Sequence, residues 1–331
     1  MTALSVWFPR ARTVELHQED LPPLGVADVR VTAIASAISH GTEMLVFRGQ
    51  VPHDLALDLS TLRGSFAFPI KYGYASVGRV VAVGDSVRSL AIGTPVFVHH
   101  PHQAEYVVSS DLPIRLPDDI DPLRGLFLAN VETAANIVLD AAPRLGERVL
   151  VFGQGVVGLL ITQLLRRTGV SQITVVDPVA RRRELARQVG ADVALAPEEV
   201  GRAVPGADGF DLAIEASGNG AALDQALENV AFGGTVVVCS WYGTKPVPVT
   251  LGGAFHRRRL RLVSSQVSTI DAALQPRWTQ QRRLAMARDL LPHLELASLI
   301  SHCFPIERAA EAYALVDERP NETVQVVLTY E

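Results

Sequence analysis

The sequence predicts a two-domain α/β protein: a β-rich domain first, then a doubly wound parallel sheet with helices on both faces. Three observations carry that prediction. The length of 331 residues suggests two domains. Residues 1 to about 120 alternate short β-type runs with Gly, Pro and Asp turns, as in VRVTAIASAIS, GYASVGRVVAVG, GTPVFVHH and AEYVVSS, the pattern of an antiparallel β-rich domain. From about 121 the texture changes to longer strand and helix units in alternation, which implies a parallel sheet.

Taken in order, LFLANVETAANIVLDAA reads as a helix leading into the first parallel strand, VLVFG. ITVVD, DLAIEASG and GTVVVCSWYG follow as strands, with VARRRELARQVG and ALDQALENV as the helices between them. LRLVSSQVS adds a further strand. After about 268 the chain reads as helices and ends in an apolar strand, VQVVLTY, expected to return to the first domain. The expected domains are therefore 1–120, 121–268 and, for the return, 269–331.

The most informative stretch is VLVFGQGVVG, Val149 to Gly158. Four apolar residues lead into Gly153, Gly155 and Gly158, spaced G-x-G-x-x-G, and the apolar run LLITQLLRR follows. This is a dinucleotide-binding fingerprint: the first glycine permits the tight turn, the second lets backbone approach a pyrophosphate, and the third lets helix pack on strand. The helix N-terminus then offers free N–H groups to the phosphates. The loop Gly153, Gln154, Gly155, Val156, Val157, Gly158 is thus the expected cofactor site. ITVVDP ends in Asp177, nineteen residues after Gly158, where an acid should accept from a ribose diol. A carboxylate there favours NAD and repels the extra phosphate of NADP. One of Arg181, Arg182 and Arg183 could reach such a phosphate, Arg182 being the candidate, so NADP stays possible. The alternative for the arginines is the solvated face of the next helix.

Composition narrows the partners. The chain is 48% hydrophobic and 20% charged, an ordinary globular balance. Its net charge is −5 and no basic run exceeds RRR or HRRR, so no nucleic-acid partner is expected. No apolar stretch reaches membrane-helix length, and MTALSVWFPRARTVEL has no signal pattern, so cytoplasm is the expected location, with no membrane contact. The two cysteines, Cys239 and Cys303, sit in apolar runs and read as reduced core thiols, too few for a four-thiolate zinc site.

A β domain carrying GYASVGRVVAVGDSV, then the fingerprint unit, then a C-terminal return resembles the medium-chain dehydrogenase/reductases, the alcohol-dehydrogenase and quinone-reductase relatives. The resemblance spans essentially the whole chain. It implies a GroES-like β-rich catalytic domain joined to a Rossmann domain, a cleft with the nicotinamide at its base, and homodimers paired along their Rossmann sheet edges. SAISHGTEMLVFRG and GGAFHRRRLRLVSSQVS look like the branch that contains bacteriochlorophyllide a dehydrogenase, which oxidises a hydroxyethyl side chain.

The departures from the family pattern bear on the chemistry. Where zinc members carry a cysteine, this chain has His40; where they carry G-H-E, it has Gly73, Tyr74 and Ala75; the third ligand falls at Ala129 or Asn130. The structural zinc lobe is absent too. Catalytic zinc needs about three protein ligands, so no metal is expected. His99, His100 and His102 in VFVHHPHQ argue the other way. At a strand end His100 and His102 would share a face, and with His40 or Glu43 could hold a metal; the alternative is a polar loop end.

Without a Lewis acid, a side chain must handle the proton of an alcohol substrate. His40 occupies the metal-facing position, and an imidazole with an ordinary pKa of about 6.5 suits that task. Tyr74 could bind the same oxygen, and Glu43 falls where the family has an acid behind the metal. The alternatives are a satisfied loop histidine, plain packing for Tyr74, and a helix cap for Glu43. Thr133, with Glu132, falls where the family's threonine nears the nicotinamide, or simply begins a helix. Ser217 and Gly218 end the strand DLAIEASG, and Trp241, Tyr242 and Lys245 follow the strand GTVVVC, where loops face the ligand crevice. The segment 50–69, with Phe66 and Phe68, is expected to border a partly apolar small-molecule substrate.

The resulting expectation is an NAD(H)-dependent oxidoreductase interconverting a secondary alcohol and a ketone without zinc. Two alternatives stand beside it: an NADPH-dependent enoyl or quinone reductase, and a non-catalytic nucleotide-binding protein, since a fold never proves an activity.

Overall fold

The computed structural model describes residues 1–57, 59, 61–62, 64–202 and 209–330. The chain divides into two compact units: Met1–Ala129 with Leu296–Glu331, and Asn130–Glu295.

The first unit begins with β1 (Thr2–Trp7) and β2 (Glu15–Asp20), paired antiparallel. It continues through β3 (Asp28–Ile38), α1 (Thr42–Phe47), β4 (Ser76–Val83), β5 (Pro95–Val98), β6 (Glu105–Ser109), β7 (Ile114–Arg115) and α2 (Pro122–Gly125). β3 is the spine. Its residues alternate half-buried and buried from Asp28 to Ala35, the mark of a strand with one face on the core. Antiparallel partners β4 and β6 both pair with it.

The second unit runs from α3 (Leu128–Ala141), whose first two residues belong to the first unit, through β8 (Arg148–Phe152), α4 (Val156–Leu165), β9 (Gln172–Val176) and α5 (Ala180–Gln188). Then come β10 (Val193–Leu195), β11 (Phe210–Glu215), α6 (Gly220–Asn229), β12 (Val230–Val238), β13 (Arg261–Ser264) and α7 (Gln280–Leu290). The sheet is parallel throughout, in the order β10-β9-β8-β11-β12-β13. The last four residues of β8 are buried on both faces, which is why they read as an unbroken apolar run. α4 is buried nearly all round, and only an apolar sequence such as VVGLLITQLL can form such a helix. The chain winds outward from β8 to β10, then returns to β11 and winds the other way. Loops after β8 and β11 therefore flank the switch point where this fold binds ligands.

The chain closes the first unit with β14 (Ile300–Pro305), α8 (Ala309–Glu318) and β15 (Gln325–Thr329). β15 lies antiparallel to β3, so the terminal apolar run does return to the first sheet. The β-rich and doubly wound parts are those the sequence predicts.

Two local expectations need correction. Cys303 is exposed, because it lies on β14, the end strand of its sheet. Phe66 is 4% exposed, and its ring meets that of Tyr72 in the core of the first unit; of the segment 50–69, Asp58, Ser60 and Arg63 lie outside the described residues.

Candidate functional site

The three glycines of the fingerprint stand in three different environments. Gly153 has φ +88°, and a Cβ there would lie 2.7 Å from the Ala216 carbonyl oxygen and from Ser217 backbone. Gly158 lies against the turn itself: a Cβ would fall 1.9 Å from the Gly153 carbonyl oxygen. Gly155, the N-cap of α4, has an ordinary extended backbone and nothing within 4 Å of where a Cβ would be. The first and third glycines are demanded by the chain's own packing. The second leaves open space at a helix N-terminus, whose first amides have no intrahelical partner. That is the shape and the charge a pyrophosphate needs, and Val156 and Val157 contribute the next amides.

Gln154 turns inward. Its side-chain amide donates to the Gly153 carbonyl at 3.0 Å and its carbonyl accepts from the Thr162 hydroxyl at 3.1 Å. Its backbone N–H donates to Asp177 Oδ2 at 2.8 Å, and the Val179 N–H donates to Oδ1 at 2.8 Å. Asp177 is 2% exposed, yet each carboxylate oxygen retains a second acceptor site. The Arg182 guanidinium comes to 3.9 Å from Asp177 Oδ2. Arg183 is spent on the carbonyls of Asp177 and Pro178, and Arg181 is exposed.

A second buried acid, which sequence inspection missed, organises the loops after β11 and β12. Glu215 Oε1 accepts from the Ser217 N–H and hydroxyl, each at 2.6 Å, and from the Gly218 N–H at 3.0 Å. Oε2 accepts from the Tyr242 hydroxyl at 2.7 Å. Ser217 and Gly218 are thus brought beside the fingerprint loop, through Gly153. Trp241 is exposed, and Thr133 is half-buried on α3. Glu132, its neighbour, is held by Arg283 of α7, which is itself 2% exposed and reaches Glu132 Oε1 at 3.0 Å and Asn136 Oδ1 at 2.5 Å. Burial pushes the Glu132 carboxyl up while the Arg283 charge pulls it down.

In the first unit the expected proton-handling residues gather around α1. Glu43 is fully buried: Oε2 accepts from the Ser39 N–H at 3.0 Å, and Oε1 accepts from His102 Nε2 at 2.8 Å and from the Tyr313 hydroxyl. The Tyr74 hydroxyl donates to Ser39 Oγ at 2.5 Å. His40 is the next residue, half-buried in the turn before α1. Burial pushes the Tyr74 phenol up to about 12, with the nearby Glu43 charge adding to the rise. At neutral pH Tyr74 is a donor, not an anionic ligand. Among His40, Tyr74, Ala129 and Asn130 only His40 offers a good zinc donor, which does not fit a tetrahedral site with three protein ligands.

The three clustered histidines part company. β5 ends at Val98, so no strand aligns His100 with His102. His100 stacks on Tyr106 at 3.7 Å between centroids and shares a hydrogen bond between Nδ1 and the Pro101 carbonyl. Burial pushes His100 down to about 3 and His99 to about 4. Among the described residues no group of three or more His, Cys, Asp or Glu is arranged to hold a metal ion. No helix among them is long and apolar enough to cross a membrane.

Comparison with known proteins agrees with this fold. A family described as "Zinc-binding dehydrogenase" matches residues 156–284. D-guloside 3-dehydrogenase of Escherichia coli K12 is 27% identical over 325 residues, covering 92% of this chain and 93% of that protein. L-threonine 3-dehydrogenase of Anaeromyxobacter sp. strain K is 30% identical over 272 residues, covering 70% and 74%. The crystal structure of an E. coli CFT073 alcohol dehydrogenase complexed with NADH superposes with a TM-score of 0.80 at 19% identity, covering 99% of each chain. The chain belongs to the zinc-type alcohol-dehydrogenase-like medium-chain dehydrogenase/reductases and is an enzyme of that superfamily.

Proposed function

We propose that the chain is an NAD(H)-dependent dehydrogenase interconverting a secondary alcohol and its ketone without catalytic metal. The observation that supports this most is the open Gly155 cradle tied, through the Gln154 N–H, to Asp177 at the tip of the second strand. NAD supplies the hydride acceptor when bound. Gly155, Val156 and Val157 amides would hold its pyrophosphate, and Asp177 would accept from the ribose diol. Arg182, 3.9 Å from Asp177 Oδ2, would stand beside the adenosine ribose. Thr133, Ser217, Gly218 and Trp241 would line the cofactor as further contacts. His40 accepts the hydroxyl proton as the carbonyl forms and returns it in reverse. Tyr74 steadies the same oxygen as a donor, and Glu43 holds the turn that carries His40. No step runs through zinc, because a protonated tyrosine and Ala129 or Asn130 make a poor ligand set beside His40.

The names of the relatives point to secondary alcohols on small polar molecules, whereas the branch resemblance points to a hydroxyethyl group on a larger ring; both suit this chemistry. On the same footing we propose a homodimer paired along β13, the exposed edge of the parallel sheet, in the cytoplasm.

Titration of the protein with NADH and NADPH, followed by intrinsic fluorescence, tests the cofactor assignment. NADH should bind at least tenfold tighter, about 1.4 kcal/mol. The reverse preference would favour an enoyl or quinone reductase. His40→Ala should lower kcat about 100-fold or more and leave NADH affinity intact.

A further inference from the structure

Glu43 serves the site only if its carboxylate is fixed, and what fixes it lies far away in the chain. His102 is fully buried, and both of its ring nitrogens are engaged: Nε2 with Glu43 Oε1 at 2.8 Å, Nδ1 with Ser36 Oγ at 2.6 Å. Ser36 Oγ continues to the Tyr330 hydroxyl at 2.7 Å. The second donor to Glu43 Oε1 is Tyr313 of α8, whose ring also stands edge-on to His102 at 6.2 Å. Burial beside Glu43 pushes the Tyr313 phenol well up, so it stays a donor. Gly73, immediately before Tyr74, has φ +139°, and a Cβ there would come within 2.8 Å of His102 Cδ2 and Nε2. The ring therefore lies directly on the backbone that carries Tyr74.

We propose that His102 is a positioning residue: by holding Glu43 it fixes the Ser39–His40 turn, and through Ser39 it fixes the Tyr74 hydroxyl. This rests on the dehydrogenase reading for its kinetic consequence, though not for its geometry. The logic is a chain of contacts. The Glu43 carboxylate bonds the Ser39 N–H through one oxygen and His102 through the other. Its orientation is thus shared between the turn and the ring. Ser39 then accepts from Tyr74. With the imidazole gone, Glu43 Oε1 keeps only Tyr313. In a dry site a carboxylate turns toward its remaining donors. Such a rotation loosens Oε2 from Ser39. The groups facing His102 are Glu43 on α1, Tyr313 on α8, Tyr330 after β15, and His100 in its own segment. Of these only Glu43 meets the ring through a carboxylate oxygen at hydrogen-bond distance, so the Glu43 contact dominates the ring's role.

The test pairs His102→Leu, which removes the donor, with His102→Gln, whose side-chain amide can still donate to Glu43. In 15N-histidine-labelled protein the His40 ring resonances should shift in His102→Leu and return toward their original positions in His102→Gln. This readout needs no substrate. Where turnover is measurable, kcat should fall at least tenfold in His102→Leu and recover to within threefold in His102→Gln, with NADH affinity unchanged in both. A folded His102→Leu protein whose His40 resonances and kcat match the parent overturns the proposal. An absence of turnover in the parent would instead count against the dehydrogenase reading and leave the resonance test in force. If His102→Leu does not fold, Ser36→Ala removes the partner of the other ring nitrogen. It should move the same resonances, and unmoved resonances there would equally overturn the proposal.

Discussion

Glycines that share one motif are expected to respond differently to the same substitution. Gly158→Ala drives a methyl into the Gly153 carbonyl, so overpacking should cost about 2 kcal/mol or more of stability. Gly155→Ala meets open space and keeps a comfortable backbone, so stability should change by no more than about 0.5 kcal/mol. Its methyl instead occupies the pyrophosphate's place, and NADH affinity should fall tenfold or more. Urea unfolding and NADH titration of the two variants check this; a Gly155→Ala protein that binds NADH like the parent contradicts it. These glycines were legible in the sequence because the motif is local. Asp177 was legible too, as the acid at a strand tip. Its bond to the Gln154 N–H was not, since no spacing rule states where a carboxylate turns.

His100 carries a pH signature of the same burial. Its folded value, about 3, lies below the ordinary value of about 6.5 for an unfolded chain. Protonation therefore favours the unfolded chain. The contribution of His100 is complete above about pH 6.5 and is lost as pH falls toward 3, at up to about 1.4 kcal/mol per pH unit. Stability measured by urea unfolding between neutral pH and about pH 5 should fall less steeply in His100→Gln. An equal slope in both proteins would show that His100 is not shielded from water as the structure has it. As a candidate metal ligand in the sequence, this residue was legible only as a polar side chain near the site. Its stacking on Tyr106 decides its behaviour.

At the scale of elements, the longer strands and helices of the second unit followed from hydrophobic periodicity and their parallel pairing from alternation with crossovers, whereas the short β10 and the order β10-β9-β8-β11-β12-β13 are set by the structure. What periodicity cannot supply is the pairing of polar residues across elements. Arg283 and Glu132 are separated by 151 residues, and His102 and Glu43 by 59. Arg283 ties α7 to α3 and to the carbonyls of Val267 and Thr269. Arg283→Met should destabilise by about 3 kcal/mol, because it leaves the Glu132 carboxylate buried without its cation. Adding Glu132→Gln should recover part of that loss in urea unfolding. A double variant no more stable than Arg283→Met would mean that the guanidinium acts through the carbonyls alone.

For the whole molecule, a β-rich part, a doubly wound part and a terminal strand returning to β3 were all legible from texture and length. The turn carrying His40, the buried Glu43 and the Tyr74 hydroxyl were legible as residues, through family positions. That they form one hydrogen-bonded group depends on loops whose course no sequence rule gives. The proposed dimer places Leu262, 39% exposed on β13, at its seam. Light scattering should give twice the chain mass for the parent and a single chain for Leu262→Glu; a monomeric parent contradicts the pairing.

The most direct test of a metal-free, NAD-linked alcohol oxidation is NADH formation by protein treated with a strong chelator and shown to be metal-free, given NAD and a panel of secondary alcohols. The expected result is turnover of at least one alcohol at the rate of the untreated protein, lost in His40→Ala. Turnover that vanishes on chelation and returns with added zinc would contradict the account and place a metal where the proton-handling residues are now assigned.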